Sequence, residues 1–262
     1  MQLHPSRSKR NNSSAGMFHF AEFTAFPQPP QFQACGGGVG VGWKARPMPD
    51  SRLVLALDLS SPRGALAVVR GDAVLFEAAF QSERSHNAQV FAPLGEALEA
   101  IPMGEKAIIV VGTGPGSYTG VRISIAAAQG LALSRDWDLL GWPSIASSEI
   151  ADYSVLGDAR RGQFYHAIVH AGRMIQAPTL ISSQEAEALV AGGGTWQSFD
   201  ARAPLDPPVT LVQPDAVALG KLISRLAEAE VRQGCALTLE PFYLQEAFIT
   251  VARKAGKHVS AI

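Results

Sequence analysis

Residues 53–74 read LVLALDLSSPRGALAVVRGDAV, and residues 153–175 read YSVLGDARRGQFYHAIVHAGRMI. Each stretch opens with an apolar strand that ends in an aspartate, Asp58 or Asp158. Each then turns through Arg-Gly, at Arg63-Gly64 or Arg161-Gly162, into a second strand and a hairpin tipped by Gly71-Asp72 or Ala171-Gly172. Apolar runs bounded by such turn residues are the mark of strands joined by hairpins. A strand, aspartate, turn and hairpin used twice implies two like halves facing a cleft, with an acidic residue from each half at its mouth. That geometry suits gripping a nucleotide or phosphate, or descends from one that did.

Outward from the repeat, strands and helices alternate. Ser85-His86-Asn87 reads as a helix start, and Val90, Leu94, Ala97, Leu98 and Ile101 fall on one face of the run that follows. Pro93 inside that run is expected to kink the helix. AIIVVG (Ala107 to Gly112) is an uninterrupted apolar strand of the kind buried on both faces. A glycine-rich turn leads into a helix from about Gly120 to Leu133, dense in small residues. LLGW reads as a short strand, Ser144 to Asp152 as a short helix, and Ser183 to Val190 as a helix with an S-x-E start. VTLV is a short strand, and Asp215 caps a helix carrying Leu219, Leu222, Ile223 and Leu226, closed by Gly234. Antiparallel hairpins followed by strand–helix units give a mixed-sheet α/β fold.

The turn TGPGSYTGVR (Thr113 to Arg122) joins a buried strand to a helix, the usual place for an anion cradle. Gly114, Gly116, Ser117 and Gly120 are its candidate phosphate-facing or structural residues. The known phosphate motifs do not fit. A P-loop needs Lys after its last glycine, where Val121 stands; a dinucleotide fingerprint needs a third glycine where Ser117 stands; and Ser117 is not flanked as in a nucleophile elbow. A tight strand-to-helix turn with no ligand is the competing reading.

The chain of 262 residues carries 22 Lys and Arg against 23 Asp and Glu, with no basic stripe, so strong binding to nucleic acid or a membrane surface by the chain alone is disfavoured. Cys35 and Cys235 form no CxxC pair, which fits a reducing, cytoplasmic setting and argues against a disulfide scaffold or zinc cluster. No apolar run spans a bilayer. Residues 1–47 are polar, basic and then rich in Pro, Gln and Gly, without periodicity. They read as an extension ahead of a functional start at Met48, in preference to a disordered native tail or a transit peptide, and they are expected to be dispensable.

Titratable groups are thinly spread. His166 and His170 are four apart, but they lie in a strand sequence and read as a solvent-facing pair rather than a metal site. Asp58 and Asp158 have no nearby His, Lys or Cys to share catalysis, which argues against an independent active site.

LALDLSS, GTGPGSYTGVRISIAAAQGLAL, GWPSIAS, DARRGQFYHA and EPFYLQEA, in this order, resemble the bacterial TsaB (YeaZ) family over Leu53 to about Ala247. The resemblance implies the actin-like ATPase (ASKHA) fold: an N-terminal subdomain at 48–151 carrying the partner interface, and a C-terminal subdomain at 152–262. It implies a non-catalytic partner of TsaD, the paralogue that transfers a threonylcarbamoyl group to the adenosine next to the anticodon of certain tRNAs. A TsaE-like ATPase is implied as a further partner, a homodimer in the absence of TsaD, and tRNA contact only through the complex. No cofactor is implied as required, with weak ATP or ADP at a subunit interface left open. The paralogue's His-x-x-x-His metal site falls near Ser144 and Ser148, and hydroxyls are poor substitutes for imidazole at a transition metal. The short connection AIPMGEKA and the compact stretch from Gly192 to Val209 leave less surface for a nucleotide.

Three functions compete. The leading one is the silent subunit of the tRNA-modifying complex. The others are a phosphotransferase or ATPase using Asp58 and the glycine-rich turn, and a glycoprotease-like metallopeptidase. The partner surface is expected on the kinked helix from about His86 to Ala100 and on the small-residue helix, with Phe91, Leu94, Arg122, Ala127 and Ala128 as its residues.

Overall fold

The computed structural model describes residues 52–81, 89–205 and 209–244. The expectations for residues 1–47 and for a helix start at Ser85 to Asn87 lie outside the described residues.

The central strand is β1 (Leu53–Asp58), every residue of which is buried. It pairs antiparallel with β2 (Arg63–Arg70) and parallel with β4 (Ile108–Gly112). With β3 (Ala73–Gln81) and β5 (Leu139–Trp142) they form a sheet of order β3-β2-β1-β4-β5. The second sheet contains β6 (Asp152–Arg160), β7 (Gln163–His170), β8 (Arg173–Ser182), β9 (Trp196–Ser198) and β10 (Thr210–Leu211). Its order, β8-β7-β6-β9-β10, repeats the first strand for strand, with the same antiparallel and parallel pairings. The duplication read from the two aspartate hairpins is therefore a duplication of whole sheets, in the actin-like ATPase architecture. The turn between β6 and β7, Arg161-Gly162, is left-handed at both residues (φ 58° and 75°), as a two-residue turn that follows the strand twist requires.

The alternation of β1 sets the layers. Leu53, Leu55 and Leu57 face α1 (Phe91–Glu99) and α2 (Tyr118–Arg135), packing with Leu94, Ala97, Val121, Ile125 and Ala128. Val54 and Ala56 face the other way, into a core shared with Tyr153, Val155 and Ala167 of the second sheet and with Leu219 and Ile223. Leu156, Trp196 and Ala186 make a smaller cluster under α3 (Ser183–Ala191). Ser182 and Glu185 cap that helix reciprocally, the S-x-E signal one residue early.

The local readings need four corrections. Pro93 lies in the first turn of α1, where a missing N–H costs nothing, so it starts the helix and does not kink it. The helix capped by Asp215, whose carboxylate accepts from the Val217 and Ala218 amides, ends at Arg225 as α4 (Ala216–Arg225). Leu226 is extended, and the Glu230 carboxylate accepts the Ala227 amide at 3.0 Å, restarting the chain as α5 (Glu228–Cys235), which contains Gly234. Ser144 to Asp152 yields only a single 3-10 turn, Ser144–Ala146. Strand β9 lies in a stretch read as loop. A cut between residues 151 and 152 separates the two sheets, but α4 returns to the first one: Gly220 faces Val69 and Ala56, and Ser224 donates to the Gly71 carbonyl.

Candidate functional site

The glycine-rich turn and the end of β1 meet above the first sheet. Asp58 is 1% exposed, and its Oδ1 accepts the Ser60 amide at 2.7 Å. A Cβ on Gly112 would stand 1.8 Å from Asp58 Oδ2 and 2.7 Å from Ser144 Oγ, so glycine is what lets the carboxyl be enclosed here. Burial pushes the Asp58 carboxyl above its usual range, against the opposing pull of Ser60 and Ser144. Oδ2 has no hydrogen bond of good geometry among the described residues. Asp58 is thus sealed beneath the turn and does not stand at a cleft mouth.

The turn itself is filled by the chain's own backbone. A Cβ on Gly116 would meet the Ser60 carbonyl oxygen at 2.2 Å, and one on Gly120 the Leu59 carbonyl oxygen at 1.9 Å. The Ser117 amide donates to Ser60 O at 2.5 Å, and Ser117 Oγ caps α2 by accepting the Gly120 amide at 3.2 Å. The Gly114 amide donates to Ser144 Oγ, and the Ser144 amide donates back to Gly114 O, both at 2.9 Å. These glycines serve close approach of the β1–β2 turn. Three amides that a phosphate cradle would draw on, those of Gly114, Ser117 and Gly120, are spent on protein oxygens.

A cleft of about 610 Å³ runs past the turn. Ser60 to Pro62 and Pro115 to Thr119 form one wall, Asp158 to Arg160 with Phe199 to Ala201 another, and Pro241 to Leu244 a third. Asp158 therefore lines the cleft. Its Oδ1 accepts the Arg160 amide at 2.7 Å, and its own amide donates to Asp200 Oδ2 at 2.6 Å. Burial, chiefly, and the charge of Asp158 push the Asp200 carboxyl up, while the Asp158 amide pulls it down. Burial also pushes the Tyr165 hydroxyl well up.

Of the partner candidates, Phe91 is 58% exposed and Arg122 is exposed, Ala127 is half-buried, and Leu94 and Ala128 belong to the core. The open face of α2 is Arg122, Ala126, Gln129, Gly130 and Leu133, the last 88% exposed. Small residues recur every three or four positions along α2, and sequence alone does not say which stripe faces the sheet. The histidines separate: His166 is buried beside Trp196 with its pKa lowered by burial, which corrects the solvent-facing reading, whereas His170 is exposed and pairs with Asp152. Among the described residues no group of three His, Cys, Asp or Glu could hold a metal ion. Ser148 instead accepts Gln197 Nε2 at 3.1 Å.

Sequence reasoning missed Ser60, Tyr118, Asp200 and Tyr243. Asp200 had a signal: counted along the parallel pairing it falls beside Asp158 as Gly112 falls beside Asp58, but three strand residues among glycines and prolines hide the correspondence.

The family model described as "TsaD: tRNA N6-adenosine threonylcarbamoyltransferase" matches residues 80–220, more than half of the chain. The tRNA threonylcarbamoyladenosine biosynthesis protein TsaB of Bacillus subtilis is 34% identical over 120 residues, 43% of this chain and 52% of that protein. An uncharacterized protein of Mycobacterium tuberculosis is 35% identical over 124 residues, 44% of this chain and 57% of its own length. The chain thus spans about half the length of the curated relatives it matches. The solved structure of YeaZ from Pseudomonas aeruginosa superposes with a TM-score of 0.54 at 22% identity, over 74% of this chain and 100% of that one, which speaks to the fold. The chain belongs to the family that this model describes.

Proposed function

We propose that the chain is a non-catalytic subunit in the biosynthesis of threonylcarbamoyladenosine in tRNA, binding and supporting a TsaD-like enzyme in the cytoplasm. The observation that carries this reading is the glycine-rich turn packed shut by Leu59 and Ser60, with Asp58 sealed beneath it. A phosphotransferase or ATPase would need that turn open to a nucleotide. The family relationship supports the pathway, and the exposed face of α1 and α2 supports a protein partner. Phe91 and Leu133 are large apolar side chains left in solvent, and Ala126 and Gly130 on the open face of α2 allow a helix to approach closely. The same face would serve a homodimer, so homodimer and heterodimer compete. A TsaE-like ATPase and tRNA join through the assembled complex, and any ATP or ADP binds weakly at a subunit interface.

Reconstitution tests this. A TsaD-like enzyme from the same organism should modify tRNA well only when the chain is added, and the chain alone should turn over no ATP. Full modification without the chain, or ATP turnover by the chain alone, overturns the proposal.

A further inference from the structure

Beyond α5 the polypeptide runs back over the site. The Leu239 side chain lies 2.6 Å from where a Cβ on Gly141 would stand, next to β5. The Phe242 amide donates to the Thr113 carbonyl at 2.8 Å, and the Phe242 carbonyl oxygen lies 3.5 Å from a Cβ placed on Gly114. Leu244 packs on the shared core, and Pro241 to Leu244 line the cleft. Tyr243 is the fastening point. Its hydroxyl accepts Arg122 Nε at 2.9 Å, its ring stacks tilted on Tyr118 with centroids 5.3 Å apart, and the Arg122 guanidinium lies 4.1 Å over the Tyr118 ring.

We propose that residues 239–244 are a strap, fastened by the Tyr118–Arg122–Tyr243 clamp, which closes the glycine-rich side of the cleft and opens as a unit of its own. The fasteners lie in solvent: Tyr118 is 50% exposed and Tyr243 44%. Cation–π and hydrogen-bond contacts at exposed sites are individually weak. The strands beneath are buried on both faces. A segment fastened at Tyr243 by weak, exposed contacts, over a rigid sheet, opens locally before the sheet unfolds. Access to Thr113 and Gly114 from the cleft is therefore governed by the clamp rather than by global stability.

Hydrogen exchange of the full chain, read amide by amide by NMR, tests this. Tyr243→Phe removes only the hydroxyl, Arg122→Ala the cation, and Tyr243→Ala the whole fastening point. Exchange at the Phe242 amide should be slowest in the native chain, faster in Tyr243→Phe, and about ten-fold above native in Tyr243→Ala, the loss expected of one charge-assisted hydrogen bond. Arg122→Ala combined with Tyr243→Ala should add nothing to Tyr243→Ala, since both act on one contact. The amides of β1 and β4 should keep their native rates. A native Phe242 rate in Tyr243→Ala overturns the strap. So does acceleration of β1 and β4 in step with Phe242, which makes residues 239–244 part of the core. Arg122 also lies on the α2 face assigned above to a partner, but Tyr243 does not. A loosened strap with unchanged partner binding in Tyr243→Phe separates this inference from that reading.

Discussion

The two halves carry the same aspartate and treat it in opposite ways. In both, an aspartate at the strand end accepts the amide two residues on at 2.7 Å, Asp58 from Ser60 and Asp158 from Arg160. Yet Asp58 is enclosed, while the Asp158 side chain is 47% exposed at the cleft. The neighbouring parallel strand supplies the difference. Leu57 pairs with Val111, so one residue on Asp58 falls beside Gly112. Val155 pairs with Gln197, so three residues on Asp158 falls beside Asp200. A glycine there makes room for a carboxyl to be buried, and a second carboxylate keeps the first near water. Local sequence sets the turn, and the register partner decides what the turn is for.

The comparison breaks most sharply at Gly112. Gly112→Ala drives a methyl into Asp58 Oδ2 and should cost about 3 kcal/mol or more, as overpacking of a rigid core does. Its register counterpart should be mild: Asp200→Ala loses one partly buried hydrogen bond, about 1 kcal/mol. Urea unfolding of the two variants checks the ratio, and equal costs would mean that the two positions are not opposites. Ala128→Arg probes the core for the same reason as Gly112→Ala, because Ala128 is 2% exposed, and it should unfold the chain.

Dependence on pH separates the halves further. Burial raises the Asp58 carboxyl from 3.8, so its stabilising contribution is complete below 3.8 and is lost as pH rises through its folded value. Asp58→Asn should therefore be at least as stable as the native chain at neutral pH, with the advantage shrinking toward acid. Burial lowers His166 from 6.5, so its contribution is present above 6.5 and is lost as pH falls below it. His166→Gln should flatten that acid loss. Thermal melts across the acid range read both, and an Asp58→Asn melt that stays below the native one at neutral pH contradicts the enclosure of a carboxyl at a cost.

Much of the fold was legible because it rests on local signals. The hairpins announce themselves by apolar runs and turn residues, β4 by its unbroken IIVVG, and α4 by its Asp215 cap. The failures are tertiary. Nothing within GTGPGSYTG says that Gly116 and Gly120 receive the backbone of Leu59 and Ser60 in place of a phosphate. Nothing in ISIAAAQG says that Ala128 faces the sheet and Gly130 the solvent, since both stripes are small. The split of one helix into α4 and α5 at Leu226 depends on the Glu230 side chain reaching back to the Ala227 amide.

On the proposed function, the chain works by lending a helical face to a TsaD-like enzyme. Gly130 is the cleanest probe, since a Cβ there meets nothing within 4 Å, so a larger residue should leave the monomer intact. The measurement is the affinity of the native chain and of Gly130→Arg for a TsaD-like protein from the same organism, by titration calorimetry, with the melting temperature of each alone. The native chain should bind, Gly130→Arg should lose at least about 100-fold, the scale of a central interface residue, and the melt should be nearly unchanged. A folded Gly130→Arg that binds as tightly as the native chain would contradict the proposed function.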